Sequence, residues 1–251
     1  MTQDSTFADH FSGQAEGYAR HRPGYPEALF AALAEISPAR LRAWDCGCGN
    51  GQVARGLATH FSEVVASDPS ATQLEQRDTA HAIGYLQALA APAPLATASC
   101  DLIAVGQALH WFPFDAFYAE ARRVLRPGGV LAGWCYSLLR ITPPIDTLIN
   151  RFYRDRLGPW WPTERALVDG GYRDLPFPFT ELKAPSLTIE VDWDLTQLGG
   201  YFATWSAYRR CRDETGLDPL PGLLTQLSVP WGDPQQPRRV RWPLHFRVGR
   251  R

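Results

Sequence analysis

Lysine and methionine are almost missing from this sequence. It has one of each, Lys183 and Met1, and the rest of its 25 basic residues are arginine. Set against 26 acidic residues these give a formal net charge of −1, so an affinity built on neutralising phosphates has no basic face to draw on, and nucleic acid is not an expected partner. Long apolar runs are missing too. No stretch approaches the ~20 apolar residues of a membrane span. The opening M-T-Q-D-S-T-F-A-D-H has neither the cationic start nor the apolar run of a secretion signal. The expectation is a cytoplasmic chain with no membrane partner. Cysteine is scarce, and five without framework spacing suit reduced thiols better than a disulfide scaffold. Cys46 and Cys48 sit close enough to begin a metal site, but no second Cys or His pair completes four ligands, so no metal is expected.

What is present suffices for a packed core, since 45% hydrophobic and 20% charged residues is ordinary globular composition. Apolar β-rich runs alternate with helical ones through the first half, the pattern of βαβ units on a parallel sheet. A helix is expected over residues 25–36, with Pro26 near its start and Leu29, Phe30, Leu33 and Ile36 at helical spacing. Strands are expected over residues 41–46, at E-V-V-A-S ending in Asp68, around 85–88, over 101–105, and at V-L-A-G-W-C-Y. Between the last two, a helix over 114–125 should end in R-P-G-G, where Pro127 and Gly128 block continuation.

After Tyr136 the alternation breaks, and a stretch rich in Pro, Trp and Arg carries two expected helices, near 145–156 and 164–171. The chain is therefore divided as one unit, 1–251. It has a lid and helix (1–36), a binding core (37–136), a cap insertion (137–185), and late strands and helices (186–251). The arginines at the end, Arg238, Arg239, Arg241, Arg247, Arg250 and Arg251, are read as a solvated edge strand and frayed terminus in preference to a surface for RNA or anionic lipid.

The most informative segment is Asp45-Cys46-Gly47-Cys48-Gly49-Asn50-Gly51, three alternating glycines between a strand and a helix with an acid two positions before the first. Glycines permit positive φ and a close ligand, and the following helix offers unpaired N–H groups. A dinucleotide site reads G-x-G-x-x-G and seats a pyrophosphate on the helix N-terminus. Here the spacing is G-x-G-x-G, and Asp45 would repel a pyrophosphate but can face the cationic methionine end of S-adenosylmethionine, directly or through water. Asp68 follows Gly49 at about the ~20-residue spacing at which an acid meets ribose hydroxyls. Alone it would read equally well as a helix cap.

With these motifs in place the chain resembles the class I methyltransferases, in particular the small-molecule branch that includes trans-aconitate methyltransferase-like (methyltransferase type 11) proteins. The resemblance rests on residues 7–26, D-C-G-C-G-N-G, V-A-S-D-P-S, D-L-I-A-V-G-Q-A-L-H-W-F and R-V-L-R-P-G-G-V-L-A, with W-S-A-Y and V-R-W-P-L later in the chain. It implies a Rossmann-like, doubly wound, mostly parallel seven-stranded α/β sheet with an antiparallel late strand and a helical cap. It also implies that Asp45, Gly47, Gly49 and Gly51 bind the amino-acid part of S-adenosylmethionine, that Asp68 binds its ribose, and that Pro69 or Ser70 lies beside the adenine. Where the family often has Ala-Glu against the adenine, this chain has Ala90-Ala91, which leaves backbone groups near Ala90 for that contact. Gly106 and Gln107 fall next to the reactive methyl, with His110 and Trp111 at the mouth. Tyr18 and Arg22 belong to the lid and are assigned to the donor carboxylate or an anionic substrate.

A sulfonium is already an excellent leaving group, so in-line alignment and exclusion of water are the main requirements. A hydroxyl or protonated amine acceptor would use a base, for which His110 is the placed candidate; a carboxylate would need none, leaving His110 to orient substrate or to pack on Trp111. The acceptor is read as a small molecule, held among Trp134, Trp160, Trp161, Trp205 and Tyr208, with Arg140 or Arg209 for an acid group. G-Q-A-L-H-W-F replaces the N/D-P-P-Y/F motif of base-amine methylation. An NAD-dependent oxidoreductase would want Tyr-x-x-x-Lys, and the one lysine lacks it. A donor-binding protein without turnover, a sensor or partner subunit, is the third alternative.

Overall fold

The runs A-W-D-C, V-V-A-S-D and D-L-I-A-V are buried along nearly their whole length, which suits central parallel strands that have no solvent face. In the computed structural model, which describes residues 21–77 and 81–251, they form β1 (Arg42–Cys46), β2 (Glu63–Asp68) and β4 (Cys100–Gly106). Together with β3 (Ile83–Gln87) and β5 (Leu125–Tyr136) they make a parallel sheet in the order β3-β2-β1-β4-β5. The carboxyl ends of β1 and β4 lie side by side at its middle, where the strand order reverses and open α/β sheets bind ligands.

Beyond β5 the sheet departs from the expected seven strands. β8 (Arg238–Arg250) is 13 residues long and runs antiparallel to β5, from Tyr136↔Leu244 to Val130↔Arg250. Its other edge takes β6 (Thr180–Glu181), and its first half pairs with β7 (Thr188–Trp193), so eight strands result. The two residues of β6 are too few to show a period in sequence. The late arginines are therefore not on an edge. Arg239 and Arg241 pair across the ladder with Glu190 and Asp192 at 2.6–3.0 Å. Arg247 meets Glu181 at 2.6 Å and the carbonyl of Leu175 at 2.8 Å, and Arg250 donates to the carbonyls of Gly128 and Ile36.

Helices cover both faces. α1 (Glu27–Ile36) and α2 (Gln52–Ala58) share one core with α5 (Pro143–Arg151) and with α7 (Leu195–Ala203), α8 (Ser206–Thr215) and α9 (Leu220–Trp231). α3 (Ala71–Glu75) follows β2, capped by the Ser70 side chain. The opposite core is built on α4 (Phe114–Val124) with Trp44, Ile103 and Tyr172. R-P-G-G is not a stop between helix and strand: Leu125 already pairs with Cys100, and Leu102 next pairs with Val130, so residues 126–129 bulge inside β5. The expected helix over 145–156 ends its α geometry at Arg151 and continues as a π turn, Phe152–Arg156, while the second cap helix, α6, is Arg165–Asp169. Among the described residues no helix is long and apolar enough to cross a membrane.

α2 is held by close packing. A Cβ on Gly56 would lie 2.2 Å from the ring of Phe30, which is 4% exposed and has no room to retreat. Alanine favours a helix interior by ~1 kcal/mol, but overpacking a tight core costs about 1–3 kcal/mol. We expect Gly56→Ala to lower unfolding free energy by about 1–2 kcal/mol in urea denaturation; a stabilised variant would show that Phe30 moves aside.

Candidate active site

The glycine loop turns sharply because Gly47, Gly49 and Gly51 all take left-handed backbone, φ +74°, +55° and +86°. The N–H groups of Gly47 and Cys48 donate to the carbonyl of Ser67, which ties the loop to the end of β2. Asp68 completes the tie: Oδ2 accepts from Gly49 N at 2.9 Å and Oδ1 from Ser70 N at 2.9 Å. Asp68 also lines the cavity beside the loop. A Cβ on Gly49 would meet only Gln73 Oε1 at 3.6 Å, so a larger side chain there would fill space a ligand needs.

That cavity encloses about 680 Å3, within the usual range for small-molecule sites. It runs from the loop past residues 88–91, and across Gly106 and Gln107 to a wall made by the cap and late helices. The structure thus brings Gly47, Gly49, Asp68, Pro69, Ala90, Gln107, His110, Trp111 and Arg22 to one cavity. The N-terminus of α2, the carboxylate of Asp68 on the cavity lining and the bare Cα of Gly49 fit an S-adenosylmethionine with its methionine end on the loop and its ribose at Asp68.

Several expected residues do not line the cavity, among them Trp134, Trp160, Tyr208 and Arg209. Asp45 is fully buried behind the loop, where Oδ2 accepts from Ala54 N at 2.9 Å; it braces the start of α2 and does not line the cavity. Gly51 sits at the helix start, close under Tyr85, and is not on the cavity wall either. Arg140 bridges to Arg241 through its backbone and faces a separate cavity with Arg173 and His245, because the chain after β5 turns away from the loop. Tyr18 lies outside the described residues.

Gln107 has φ +57°, uncommon for a residue with a side chain, and is held there by paired bonds to β5: its Oε1 accepts from Tyr136 N at 2.8 Å and its Nε2 donates to Tyr136 O at 3.3 Å. His110 is buried, with Nδ1 2.8 Å from the Tyr172 hydroxyl. Burial first, and the nearby Arg165 charge second, lower its pKa to about 3, so the ring is neutral at ordinary pH and a weak proton acceptor. Arg22 donates to the Tyr136 hydroxyl at 3.0 Å and lies over the Tyr201 ring.

Sequence reasoning did not pick out Tyr25, Gln73, Tyr136, Glu164, Arg165 or Tyr201, all of which line the cavity. Only Glu164 and Arg165 carried a signal, as the charged pair that follows W-W-P-T in the otherwise aromatic cap.

Asp45 gives the site a pH dependence. Burial, opposed by the Ala54 bond and reinforced by the Asp68 charge, pushes its pKa up to about 8, and Oδ1 has no hydrogen-bond partner among the described residues. The folded chain therefore binds a proton there that the unfolded chain releases, and stability falls as pH rises from the ordinary value of 3.8 to about 8. In thermal melts without cofactor, Asp45→Asn should flatten that fall; an unchanged slope would mean that Asp45 stays ionised.

Residues 44–133 match the methyltransferase domain family. A protein of Dictyostelium discoideum named as a methyltransferase is 31% identical over 221 residues, 86% of this chain and 84% of that protein. The malonyl-[acyl-carrier protein] O-methyltransferase of Enterobacter lignolyticus is 36% identical over 125 residues, 49% of this chain and 50% of its own length. A solved structure from Anaeromyxobacter dehalogenans, described as a type II methyltransferase, is 47% identical and covers 91% of this chain and 97% of its own, with a TM-score of 0.86. The glycine loop, the Asp68 tie and likeness of this extent agree: the chain belongs to the class I S-adenosylmethionine-dependent methyltransferases, with S-adenosylmethionine as its cofactor.

Proposed function

We propose that the chain transfers the methyl group of S-adenosylmethionine to an oxygen or nitrogen of a small molecule by in-line displacement, with the acceptor held between Gln107 and the cap. The observation that carries this reading is the continuity of the cavity. The same cavity is lined by the glycine loop at one end and by Trp161, Arg165 and Trp205 at the other, giving room for an acceptor beyond the donor. The bound donor supplies a methyl on a positively charged sulfur. The residues of this chain are left to orient the two partners and keep water out, for which rigid, largely apolar walls suffice.

Among the described residues of the cavity lining, the one histidine is not poised as a base. With its pKa near 3, His110 hydrogen-bonds to Tyr172 and shapes the wall. This favours an acceptor that is already nucleophilic at neutral pH, such as a carboxylate, and the name of one relative, a malonyl-[acyl-carrier protein] O-methyltransferase, is in keeping with an oxygen acceptor. The small size of the enclosed space also favours a small acceptor over a polymer.

The test is release of S-adenosylhomocysteine from S-adenosylmethionine over a panel of small carboxylates, phenols and amines. Acceptor-dependent turnover is expected, with the same pH profile in the wild type and His110→Gln. Turnover with none of them, despite tight donor binding, would favour the non-catalytic alternative. A near-neutral inflection lost in His110→Gln would make His110 the base.

A further inference from the structure

We propose that Arg165 is the residue that selects the acceptor, and that it does so by binding a carboxylate; this rests on the reading of the cap end of the cavity as the acceptor site. Arg165 opens α6 in the cap and lines the cavity. Its guanidinium carbon lies 4.7 Å from the centroid of the Trp161 ring and 5.3 Å from that of Tyr153. On the inner side, Nε donates to the Tyr153 hydroxyl at 2.6 Å and to Asp169 Oδ1 at 3.1 Å, and the Tyr153 hydroxyl donates to the same carboxylate. Tyr153 is placed by the π turn Phe152–Arg156, which follows α5 directly. Such turns recur at functional sites because they swing a side chain out of helical register. The Trp161 indole in turn donates to the Tyr153 carbonyl at 3.1 Å.

These contacts consume one N–H of the five that the guanidinium carries. Neither Nη1 nor Nη2 has a hydrogen-bond partner among the described residues, although the side chain is only 19% exposed. Holding a guanidinium by its inner edge while leaving its forked outer edge unused is costly in a partly desolvated wall, unless a ligand or water meets the fork. The group that fits two parallel N–H donors in one plane is a carboxylate, which accepts both at once. The aromatic rings leave the guanidinium little freedom to rotate toward a different geometry.

Charges of both signs surround the fork, and among the described residues none of the carboxylates meets its outer edge. Asp169 offsets Arg165 from behind, and Glu164, the next residue on the wall, makes no ion pair with it; its carboxylate accepts from the Thr163 hydroxyl at 3.3 Å. A second cation, Arg22, reaches the same cavity over Tyr201. The field of Arg165 is also felt at His110, where it helps keep the ring neutral. Arg140 and Arg209, the arginines that sequence suggested for this role, do not line the cavity.

The experiment is calorimetric titration of the wild type, Arg165→Gln and Arg165→Lys with phenylacetate, its neutral isostere phenylacetamide, and phenyl phosphate, each with and without saturating S-adenosylhomocysteine. We expect phenylacetate to bind the wild type at least about tenfold more tightly than phenylacetamide. That preference should be lost in Arg165→Gln and only partly kept in Arg165→Lys, whose ammonium has no planar fork. Equal binding of acid and amide by the wild type, or no binding of either at millimolar concentration, overturns the proposal whether or not the variants fold. Preference for phenyl phosphate over phenylacetate also overturns it, in favour of a phosphate site. Because the comparison is made with and without S-adenosylhomocysteine, failure to bind that cofactor product would count against the methyltransferase reading and leave the carboxylate preference separately scored.

Discussion

The carboxylate of Asp68 accepts the N–H of Gly49 with one oxygen and that of Ser70 with the other, so that the glycine loop, the end of β2 and the start of α3 share one anchor. With the bonds from Gly47 and Cys48 to the Ser67 carbonyl it restrains a loop in which three residues are glycines in left-handed backbone that an unrestrained chain would leave readily. With the anchor in place, Gly51 enters α2 and Asp45 braces that helix from behind through Ala54. Phe30 then closes over Gly56 to lock α2 against α1. Two buried acids and three glycines thus divide the work: Asp45 braces α2 from behind, while Asp68 ties the loop and lines the cavity.

The far wall obeys a different constraint. Gln107, at the end of β4, keeps a positive φ only because its amide bonds twice to the backbone of Tyr136 at the end of β5. This fixes the floor on which the acceptor and the methyl group would meet. Facing it, Tyr136 receives Arg22 from the lid side, and Tyr201 lies beneath the same arginine, so one cation links the sheet, the late helices and the segment before α1. The cap contributes aromatic surface and the Arg165 seat, while the His110 ring lines the same cavity, hydrogen-bonded to the fully buried Tyr172.

Much of this was legible in the sequence, and the reason is local. The first parallel strands are short apolar runs, and the loop announces itself because three glycines and an acid have few other uses at a strand end. Ala90, Gln107, His110 and Trp111 were placed by family resemblance on the cavity that they line. What escaped was set by pairing between segments far apart in the chain. Arg239 and Arg241 look like a solvated tail until Glu190 and Asp192 are known to lie across from them. R-P-G-G reads as a stop because a bulge inside β5 depends on its register with β4. Arg165 is not told apart from Arg140 and Arg209 by sequence, because its place on the cavity wall depends on the fold of the cap, and the extra residue in the π turn that carries Tyr153 leaves no compositional trace.

The central claim is that the Asp68-anchored loop is a site for S-adenosylmethionine and not for a dinucleotide. Calorimetric titration of the wild type and of Asp68→Ala with S-adenosylmethionine and with NAD tests it directly. The account predicts micromolar binding of S-adenosylmethionine to the wild type, a loss of about tenfold or more in the variant as the charge-assisted bonds of Asp68 disappear, and no binding of NAD. Binding of NAD by the wild type, or S-adenosylmethionine affinity indifferent to Asp68, would contradict it.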